Sequence, residues 1–287
     1  MSAAEFRVEY EKRAEVGRIA RLTIDNAAKR NSLNSVLMAE IVAKMAEVAA
    51  DPDLRLAILT GAGTAAFVGG ADIAEIAALD HAGARRFITL VHRCCAAFRH
   101  LPVPVIARID GYALGAGLEI AAACDLRVAG ENSALGMPEV AIGIPSVIEA
   151  ALLPRLIGAG RARRLLLTGE TIDAATALAW GLVDVVAPTG GLDDAVERLV
   201  RPILAAGRRA VGLQKSLILE WEELPAETAI ARGIDAFVAA FDSDEPAQMA
   251  GSAMARMHAR RADDRKTALS ALQGGEGGDP TRARRGG

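Results

Sequence analysis

Aromatic residues are scarce in this chain, since Phe, Tyr and Trp together make up only 3% of its 287 residues. The hydrophobic fraction is nevertheless 52%, so the core has to be built from Ala, Leu, Val and Ile. Small aliphatic side chains of this kind suit closely packed helices and strands, and Ala also favours helix. A chain of this length buries roughly 75% of its unfolded surface. The composition predicts a globular protein with one large domain, alone or with a small appendage.

Cysteine is also rare, and the three cysteines do not make a disulfide framework because Cys94 and Cys95 are neighbours that rarely pair. Such usage is typical of a reducing compartment. The N-terminal segment MSAAEFRVEYEKR has no apolar signal core. No run reaches the ~20 apolar residues that a membrane span needs. We therefore expect a cytoplasmic protein that has no membrane association.

Neither sign of charge dominates, because 33 basic and 36 acidic residues give a formal net charge of −3. A nucleic-acid-binding protein would present a broad basic face, so nucleic acid is not an expected partner. The one basic cluster comes late in the chain and consists of Arg256, His258, Arg260, Arg261, Arg265 and Lys266. It is either a solvated helix end or a docking patch for a phosphorylated ligand.

Strands and helices alternate along the first 130 residues, which is typical of a mostly parallel sheet. Apolar patterning predicts strands at 6–10, 18–24, 54–60, 105–109 and 125–129. Helical periodicity predicts helices at 72–80, 83–100 and 115–123, after a first helix that Ser35 caps and that runs to Ala50. Beyond about residue 146, a single strand at 182–186 interrupts the helices, which lie near 191–206, 208–220, 226–241 and 244–260.

A Gly-rich sequence after the third strand matches a dinucleotide-binding fingerprint. It reads Gly61-Ala-Gly63-Thr-Ala-Ala66, and Asp80 follows at roughly the distance of a ribose contact. The fingerprint requires an unbroken helix next, followed by a strand that ends at the acid. Val68-Gly69-Gly70 breaks any such helix, and the segment before Asp80 has a helical pattern. A nicotinamide-dependent oxidoreductase is therefore a remote alternative.

Two further Gly-rich segments are candidates for ligand contact. In Phe67-Val-Gly-Gly-Ala-Asp-Ile73 the glycines allow close backbone approach, and Asp72 can cap the next helix. In Gly111–Glu119, small residues begin a helix and leave unpaired N–H groups at its positive end. Such an end is suited to binding a negative oxygen. Taken alone, the first segment is more often a structural turn, and tight strand-to-helix packing is an alternative explanation of the second.

Glu119 and Glu139 lie in the apolar, Gly-rich surroundings LGAGLEIAAAC and ALGMPEVAIGIP, where a solvated Glu has little reason to be. If the two converge, desolvation and mutual repulsion would separate their pKa values, as acid–base chemistry requires. An acidic residue near a helix start is more often a simple electrostatic contact. The context of the two residues is therefore what makes them candidates.

Other catalytic machinery is missing from the sequence. It contains no G-x-S-x-G nucleophile elbow and no CxxC motif. The four histidines have no metal-ligand spacing, so no metal is expected. His92 and His100 are expected on one helix, at the surface or at an interface.

Five sequence blocks follow one another in a characteristic order. They are RLTIDNAAKRNSLN, LAILTGAGTAAFVGGADI, PVIARIDGYALGAGLEIAAACDLRVA, MPEVAIG and LLLTGETIDAATALAWGLVDVV. In this order they resemble the crotonase (enoyl-CoA hydratase/isomerase) superfamily over about residues 6–260, and enoyl-CoA hydratases most of all. The resemblance implies an α/β fold with a crotonase-like core of ββα units and active site at residues 1–190. It also implies a helical trimerisation region at 191–262 and a homotrimer or dimer of trimers. Separately, the Gly-rich composition near the C-terminus predicts a mobile low-complexity tail at 263–287.

The resemblance assigns roles to particular residues. The backbone N–H groups of Ala71 and Ala116 correspond to the family's oxyanion hole, and Glu119 and Glu139 to its two catalytic glutamates. Coenzyme A enters only as part of the thioester substrate, and no separate cofactor is expected. The residues implied in substrate binding are Lys29, Arg30, Asn31, Ser32, Leu33, Gly69, Gly70, Asp72, Ile73, Ala74, Gly115 and Ser146, with Arg256 as a further candidate for a phosphate contact.

One segment departs from the family pattern. Hydratases usually have a Gly-rich stretch there, in which a backbone N–H helps to hold the attacking water. This chain reads Gly143-Ile-Pro-Ser-Val-Ile-Glu-Ala-Ala151, one residue shorter. Ser146 takes the place of a Gly, and Glu149 adds a third carboxylate. The departure concerns both the water site and the acyl pocket.

The function implied is enoyl-CoA hydratase, which adds water syn to a 2-enoyl-CoA and gives 3-hydroxyacyl-CoA in fatty-acid or related acyl-CoA degradation. Within it, Glu119 is assigned to the water and Glu139 to the α-carbon. The alternatives are an enoyl-CoA isomerase or another crotonase-type thioester lyase or hydrolase. A non-catalytic CoA-binding or RNA-associated scaffold is a further possibility, against which the two retained carboxylates speak.

Overall fold

The computed structural model of the protein describes residues 4–13 and 16–274, with side chains as far as residue 261. Within these bounds the chain forms two compact units, whose boundary in the sequence is between Glu223 and Leu224. The predicted tail beyond residue 274 and the side chains of Arg265 and Lys266 lie outside the described residues. The domain division predicted at residues 190 and 262 stays a prediction.

A six-stranded sheet organises the larger unit, with its strands in the order β1-β2-β3-β5-β7-β10. These strands span Glu5–Arg13 (β1), Gly17–Asp25 (β2), Leu54–Gly61 (β3), Val105–Ile109 (β5), Leu126–Gly130 (β7) and Val185–Ala187 (β10). The first pair is antiparallel and the others are parallel. Parallel strands buried on both faces have continuous apolar sequences, as LAIL within β3 does. The predicted α/β class is confirmed.

A second, four-stranded sheet lies in the same unit, with the order β4-β6-β8-β9. Its strands span Ala66–Val68 (β4), Tyr112–Leu114 (β6), Ala134–Gly136 (β8) and Thr171–Asp173 (β9). Only β8 and β9 pair antiparallel. None of these four strands was predicted from the sequence, because three residues are too few to show an alternating pattern.

Helices cover both faces of the six-stranded sheet. They span Ser35–Ala49 (α1), Ile73–Ala77 (α2), His81–Arg99 (α3), Ala116–Ala123 (α4), Leu153–Ile157 (α5), Ala159–Thr168 (α6), Ala174–Trp180 (α7), Leu192–Ala205 (α8) and Arg208–Glu223 (α9), with 3-10 turns at Ala27–Lys29 (η1), Pro138–Ile142 (η2) and Ile148–Leu152 (η3). Leu56 and Ile58 of β3 pack with α8 in one core cluster. Ala57 and Leu59 belong to a larger cluster that includes residues of α1, α3 and α4. Alternate residues of one strand thus serve two separate cores.

The N-terminal caps of α1 and α2 were both predicted from the sequence, and the structure changes the first and confirms the second. Ser35 is not the cap of α1; Asn34 is, and its side chain accepts a hydrogen bond from Leu37 N at 2.8 Å. Ser35 is instead the first helical residue, and its N–H donates to Glu75 Oε2 at 2.9 Å. Asp72 caps α2 as predicted and accepts from Ala74 N at 2.9 Å.

The apparent dinucleotide fingerprint does not form a nucleotide site of that type. The chain passes from β3 through a loop into β4 rather than into a helix. Asp80, the candidate ribose ligand, is the N-cap of α3 and accepts from Gly83 N at 2.6 Å. The broken pattern after Ala66 already indicated this outcome.

The described part of the smaller unit consists of two helices, Ala226–Ala240 (α10) and Glu245–Gly274 (α11). Several large apolar side chains on α10 are exposed, namely Ile230, Ile234, Phe237 and Val238, and Phe241 at its C-cap is exposed as well. In the described part of the chain, no helix combines the length and the apolar character required to cross a membrane.

Candidate active site

The start of α4 is held unusually close to β4. A Cβ atom on Gly117 would lie only 2.1 Å from the carbonyl oxygen of Val68, so only glycine permits this approach. All eight residues of α4 are buried. The close approach brings the N-terminus of α4, where Ala116 is the first helical residue, beside the Gly-rich loop that follows β4.

That loop is fixed by backbone hydrogen bonds to the segment after η1. Gly69 N donates to Arg30 O at 2.8 Å, and Leu33 N donates to Gly70 O at 2.9 Å. Gly70 has a φ of +109°, and a Cβ atom on it would lie 3.2 Å from Leu114 O, just before the α4 turn. The loop therefore lies directly against the strand that leads into α4.

Two backbone amides at this junction have no hydrogen-bond acceptor among the described residues. They belong to Ala71, which follows the two glycines, and to Ala116, the first residue of α4. The first N–H groups of a helix have no partner within the helix and carry the positive end of its dipole. Both residues line the same cavity. The arrangement can stabilise an oxygen that acquires negative charge.

Glu119 lies one turn further along α4 and is 5% exposed. Its Oε1 accepts a hydrogen bond from Ala150 N at 3.2 Å. Burial and, after it, the nearby charge of Glu139 raise the pKa of Glu119 to about 8, although the hydrogen bond from the Ala150 N–H lowers it. A carboxyl group with such a pKa can exchange a proton near neutral pH.

Glu139 lies in η2, directly after Pro138, and is half-buried. Its Oε2 accepts a hydrogen bond from the hydroxyl of Ser146 at 2.7 Å. Its Oε1 lies against Gly115, where a Cβ atom would be only 2.3 Å away. Gly115 has a φ of +53° and immediately precedes the free Ala116 amide. The Glu139 carboxylate is thus held beside the candidate oxyanion hole.

Both carboxylates and both free amides line a single cavity of about 770 Å³. Its apolar wall comes from α2, α3 and the residues around η2, and includes Ile76, Leu79, Phe87, Ile88, Val91 and Ile144. Of the residues predicted for substrate binding, this cavity is lined by Gly69, Gly70, Ile73, Gly115 and Ser146. The four residues predicted to be catalytic therefore line one cavity, together with five of those predicted to bind substrate.

The other predicted substrate-binding residues lie outside the cavity lining. Lys29 and Arg30 are exposed, and Lys29 Nζ lies 2.9 Å from Asp72 Oδ2. The Lys29 ammonium is the main cause that lowers the pKa of Asp72. Arg30 lies over the ring of Tyr112 at 5.6 Å. Ser32 is half-buried, and Ala74 is exposed on α2.

Asn31 and Leu33 of the same predicted set are buried. The Asn31 amide donates to Ala62 O at 3.0 Å and to Ala66 O at 2.7 Å, so it ties the loop to β4. Leu33 is part of the larger core cluster. Their side chains hold the loop in place, and any contact with substrate would have to come from the backbone.

The segment η3 is the part of the site that the sequence analysis placed least well. It provides the Ala150 N–H for Glu119, and its Glu149 is 6% exposed. Glu149 Oε1 lies 2.7 Å from Nδ1 of His92 on α3. Half-exposed His92 was expected at the surface or at an interface, without a role. The only sequence signal was the extra carboxylate in a Gly-poor version of this segment.

Other reactive side chains lie away from the cavity. Cys94, Cys95 and Cys124 are buried and not disulfide-bonded. Burial raises the pKa of Cys94 and of Cys124 to about 12, so neither is a ready thiolate. In the part of the chain that the structure describes, no cluster of His, Cys, Asp and Glu residues could hold a metal ion.

The chain is similar in sequence to members of one protein family. The sequence profile of the enoyl-CoA hydratase/isomerase family matches residues 14–263. The chain is 35% identical to a short-chain-enoyl-CoA hydratase of Clostridium acetobutylicum, over 80% of its own length and 88% of the relative's. It is 36% identical to a crotonyl-CoA hydratase of Syntrophomonas wolfei, over 79% and 88% of the respective lengths.

The fold agrees with solved structures of the same family. A crystal structure of an enoyl-CoA hydratase from Bacillus anthracis superposes with a TM-score of 0.82 at 30% identity, covering 88% of this chain and 96% of that one. An enoyl-CoA hydratase from Polaromonas superposes with a TM-score of 0.81 at 25% identity, covering 88% and 97%. The predicted crotonase-like fold is confirmed, and the chain belongs to the enoyl-CoA hydratase/isomerase family.

Proposed function

We propose that this protein is an enoyl-CoA hydratase, which adds water across the double bond of a 2-enoyl-CoA thioester and gives 3-hydroxyacyl-CoA. The observation that carries the proposal is one cavity with two carboxylates and two unpaired backbone amides. Relatives named as short-chain-enoyl-CoA hydratase and crotonyl-CoA hydratase support it. Coenzyme A enters as part of the substrate, and the proposal requires no separate cofactor.

The two amides account for activation of the thioester. When water attacks the β-carbon, negative charge develops on the thioester oxygen as an enolate. The N–H groups of Ala71 and Ala116 would bind that oxygen, and each such donor contributes about 3 kcal/mol of barrier lowering in comparable sites. Because both donors are backbone groups held by the β4–α4 packing, they need no rearrangement during the reaction.

Glu139 is the proposed proton donor to the α-carbon. That carbon is bonded to the carbonyl carbon whose oxygen would lie at Ala116, and Glu139 Oε1 lies beside the adjacent Gly115. The hydrogen bond from Ser146 to Oε2 leaves Oε1 as the free oxygen. This geometry supports the assignment made from the sequence.

Glu119 is the proposed base for the attacking water. Its position in the first turn of α4 and the Ala150 N–H both favour the ionised form, although burial opposes it. With Oε1 oriented by Ala150, Oε2 is the oxygen that takes the proton. The reaction breaks one O–H bond of water and the π bond between the α- and β-carbons, and it forms C–O at the β-carbon and C–H at the α-carbon. Glu119 gains a proton and Glu139 loses one, so a proton returns from Glu119 to Glu139 before the next turnover.

The apolar wall of the cavity suits the acyl group, and the rim suits coenzyme A. Phe87, Ile88 and Val91 of α3 contribute to the apolar wall. Lys29 and Arg30, both exposed, lie on the segment that is hydrogen-bonded to the Gly-rich loop and are the proposed contacts for coenzyme A phosphates. The backbone of residues 31–33 and of 69–74 is proposed to follow the pantetheine arm.

The deciding experiment follows the conjugated thioester absorbance of a panel of enoyl-CoA substrates. We expect the absorbance to fall with the wild type and not with Glu119→Gln or Glu139→Gln, both folded. Wild-type rates in both variants would contradict the scheme. Double-bond isomerisation, the nearest alternative, is distinguished by running the reaction in heavy-oxygen water, because only hydration places the label in the product.

The oligomer and location are also proposed. The apolar residues exposed on α10 recur on one face and support self-association of the chain as a homotrimer or dimer of trimers. Light scattering combined with size-exclusion chromatography would measure the mass, and a monomer at micromolar concentration would contradict this part. The reduced, buried cysteines fit the proposed cytoplasmic location.

A further inference from the structure

The turn η3 has a backbone conformation that its sequence does not favour. Ile148 has a φ of +44°, in the left-handed region that a β-branched residue rarely adopts. Such a conformation persists only where the surroundings hold it in place. Contacts from neighbouring elements to η3 must therefore fix its first turn.

Glu149 makes the polar contact that fixes this turn. Its carboxylate is buried, and Oε1 lies 2.7 Å from His92 Nδ1, a distance at which a protonated Nδ1 donates to the carboxylate. Oε2 is buried and has no hydrogen-bond partner among the described residues. Within the described chain, His92 donates to this carboxylate, and the thiol of Cys95 on α3 also faces it. Hydrogen bonds to a carboxylate are among the stronger ones.

The next residue of the same turn contacts the proposed base, because Ala150 N donates to Glu119 Oε1 at 3.2 Å. A single turn is therefore held by His92 on one side and orients Glu119 on the other. We propose that Glu149 and His92 form a positioning pair, which holds η3 so that the Ala150 N–H directs the Glu119 carboxylate toward the water. This inference rests on the proposed hydration reaction.

Glu149 affects the pKa of Glu119 in two opposite ways, through its own charge and through the position of the Ala150 N–H. This opposition makes the positioning pair testable. The titratable groups that face Glu119 are Glu139 from η2, Glu149 from η3 and the thiol of Cys95 from α3. After burial and Glu139, the charge of Glu149 raises the pKa of Glu119, whereas the Ala150 N–H lowers it. Gln at position 149 removes the charge and keeps a hydrogen-bonding side chain, while Ala removes both.

The test compares Glu149→Ala, Glu149→Gln and His92→Ala with the wild type. Arg93→Ala is the matched control, because Arg93 is the exposed neighbour of His92 on α3. Two readouts are used: kcat and KM for crotonyl-CoA across pH, and hydrogen–deuterium exchange of the peptide spanning residues 147–152. Circular dichroism establishes that each variant is folded, and His92→Ala carries the test if Glu149→Ala does not fold.

We expect Glu149→Ala and His92→Ala to lower kcat about tenfold or more, with KM within about twofold, and to exchange faster in residues 147–152. A double variant that combines Glu149→Ala with His92→Ala should be no slower than the slower of the two single variants. Glu149→Gln should keep kcat within about threefold and exchange like the wild type. The increase of its kcat/KM with pH should begin at a lower pH than in the wild type. Arg93→Ala should match the wild type throughout.

Three results would overturn the positioning pair. They are wild-type kcat and exchange in Glu149→Ala, equal loss of kcat in the Ala and Gln variants, and a rise in KM alone. A wild type that hydrates no enoyl-CoA would overturn the proposed function instead. Exchange then decides the inference by itself: faster exchange in Glu149→Ala and His92→Ala supports it, and unchanged exchange refutes it.

Discussion

Replacing Glu119 by Gln should stabilise the protein at alkaline pH, by an amount that the pKa of the buried carboxyl sets. The unfolded chain ionises Glu119 above its ordinary pKa of 4.5, whereas the folded protein retains the proton until about pH 8. Because the unfolded state loses its proton first, the wild type loses stability as pH rises between these two values. Above pH 8 the loss is complete and amounts to about 5 kcal/mol, at 1.4 kcal/mol for each tenfold change.

The amide side chain introduced by Glu119→Gln would remain neutral at every pH and still accept the Ala150 N–H, so the variant lacks this loss. The quantity of interest is the free energy of unfolding of Glu119→Gln minus that of the wild type. Compared with its value in acid, this difference should be larger by about 1 kcal/mol at pH 5 and by about 5 kcal/mol at pH 9. Titrating groups that do not interact with Glu119 cancel in the difference between the two proteins. The widening of about 4 kcal/mol from pH 5 to pH 9 therefore reports on Glu119 together with the carboxylates that interact with it, Glu139 and Glu149.

Urea denaturation at pH 5, 7 and 9, at a fixed protein concentration, measures the difference. Glu9→Gln, which removes an exposed carboxylate of β1, is the matched control for loss of a surface charge. A difference between Glu119→Gln and wild type that stays constant over this pH range would refute the reasoning. It would mean that burial and Glu139 do not hold the proton on Glu119.

Two further predictions follow from the same carboxylates. If Glu119 is the base for water, kcat/KM of the wild type should rise with pH, about tenfold for each pH unit, and level off near pH 8; a fall through that region would assign Glu119 as the acid. Gly115→Ala should lower kcat at least about 100-fold, because its Cβ would lie 2.3 Å from Glu139 Oε1. Gly63→Ala has a similarly positive φ with no atom within 4 Å, so it separates the backbone strain from the clash.

Much of the fold was predictable, because its long elements have clear patterns. The strands β2 and β3 and the helices α1 and α3 were each predicted within a few residues, since alternation or helical periodicity extends over the whole segment. The short strands β4 and β8 have no such pattern, and they pair with segments distant in sequence. At the start of α1, Asn34 and Ser35 are both good caps, and only the surrounding contacts select Asn34.

The two carboxylates of the candidate site could be selected from the sequence for a different reason. Glu119 and Glu139 stand out by their sequence surroundings, since each is an acidic residue within an apolar, Gly-rich segment. The pairing of Glu149 with His92 was not predictable, because 57 residues separate them in the sequence. In addition, the turn that contains Glu149 requires a left-handed conformation at Ile148. Likewise, Asn31 belonged to a polar loop in the sequence but is buried, because that loop folds onto β4.

The scarcity of aromatic residues has an optical consequence at the cavity. Its lining includes Phe87 but no Trp or Tyr among the described residues. Trp180 packs beneath Arg161 and Arg164 on α6, and Trp221, which is 43% exposed, lies on α9. The near-ultraviolet absorption of a conjugated thioester bound between Ala71 and Ala116 would therefore not be coupled to a neighbouring indole. Its shift in wavelength would report directly on how strongly the two amides polarise the carbonyl.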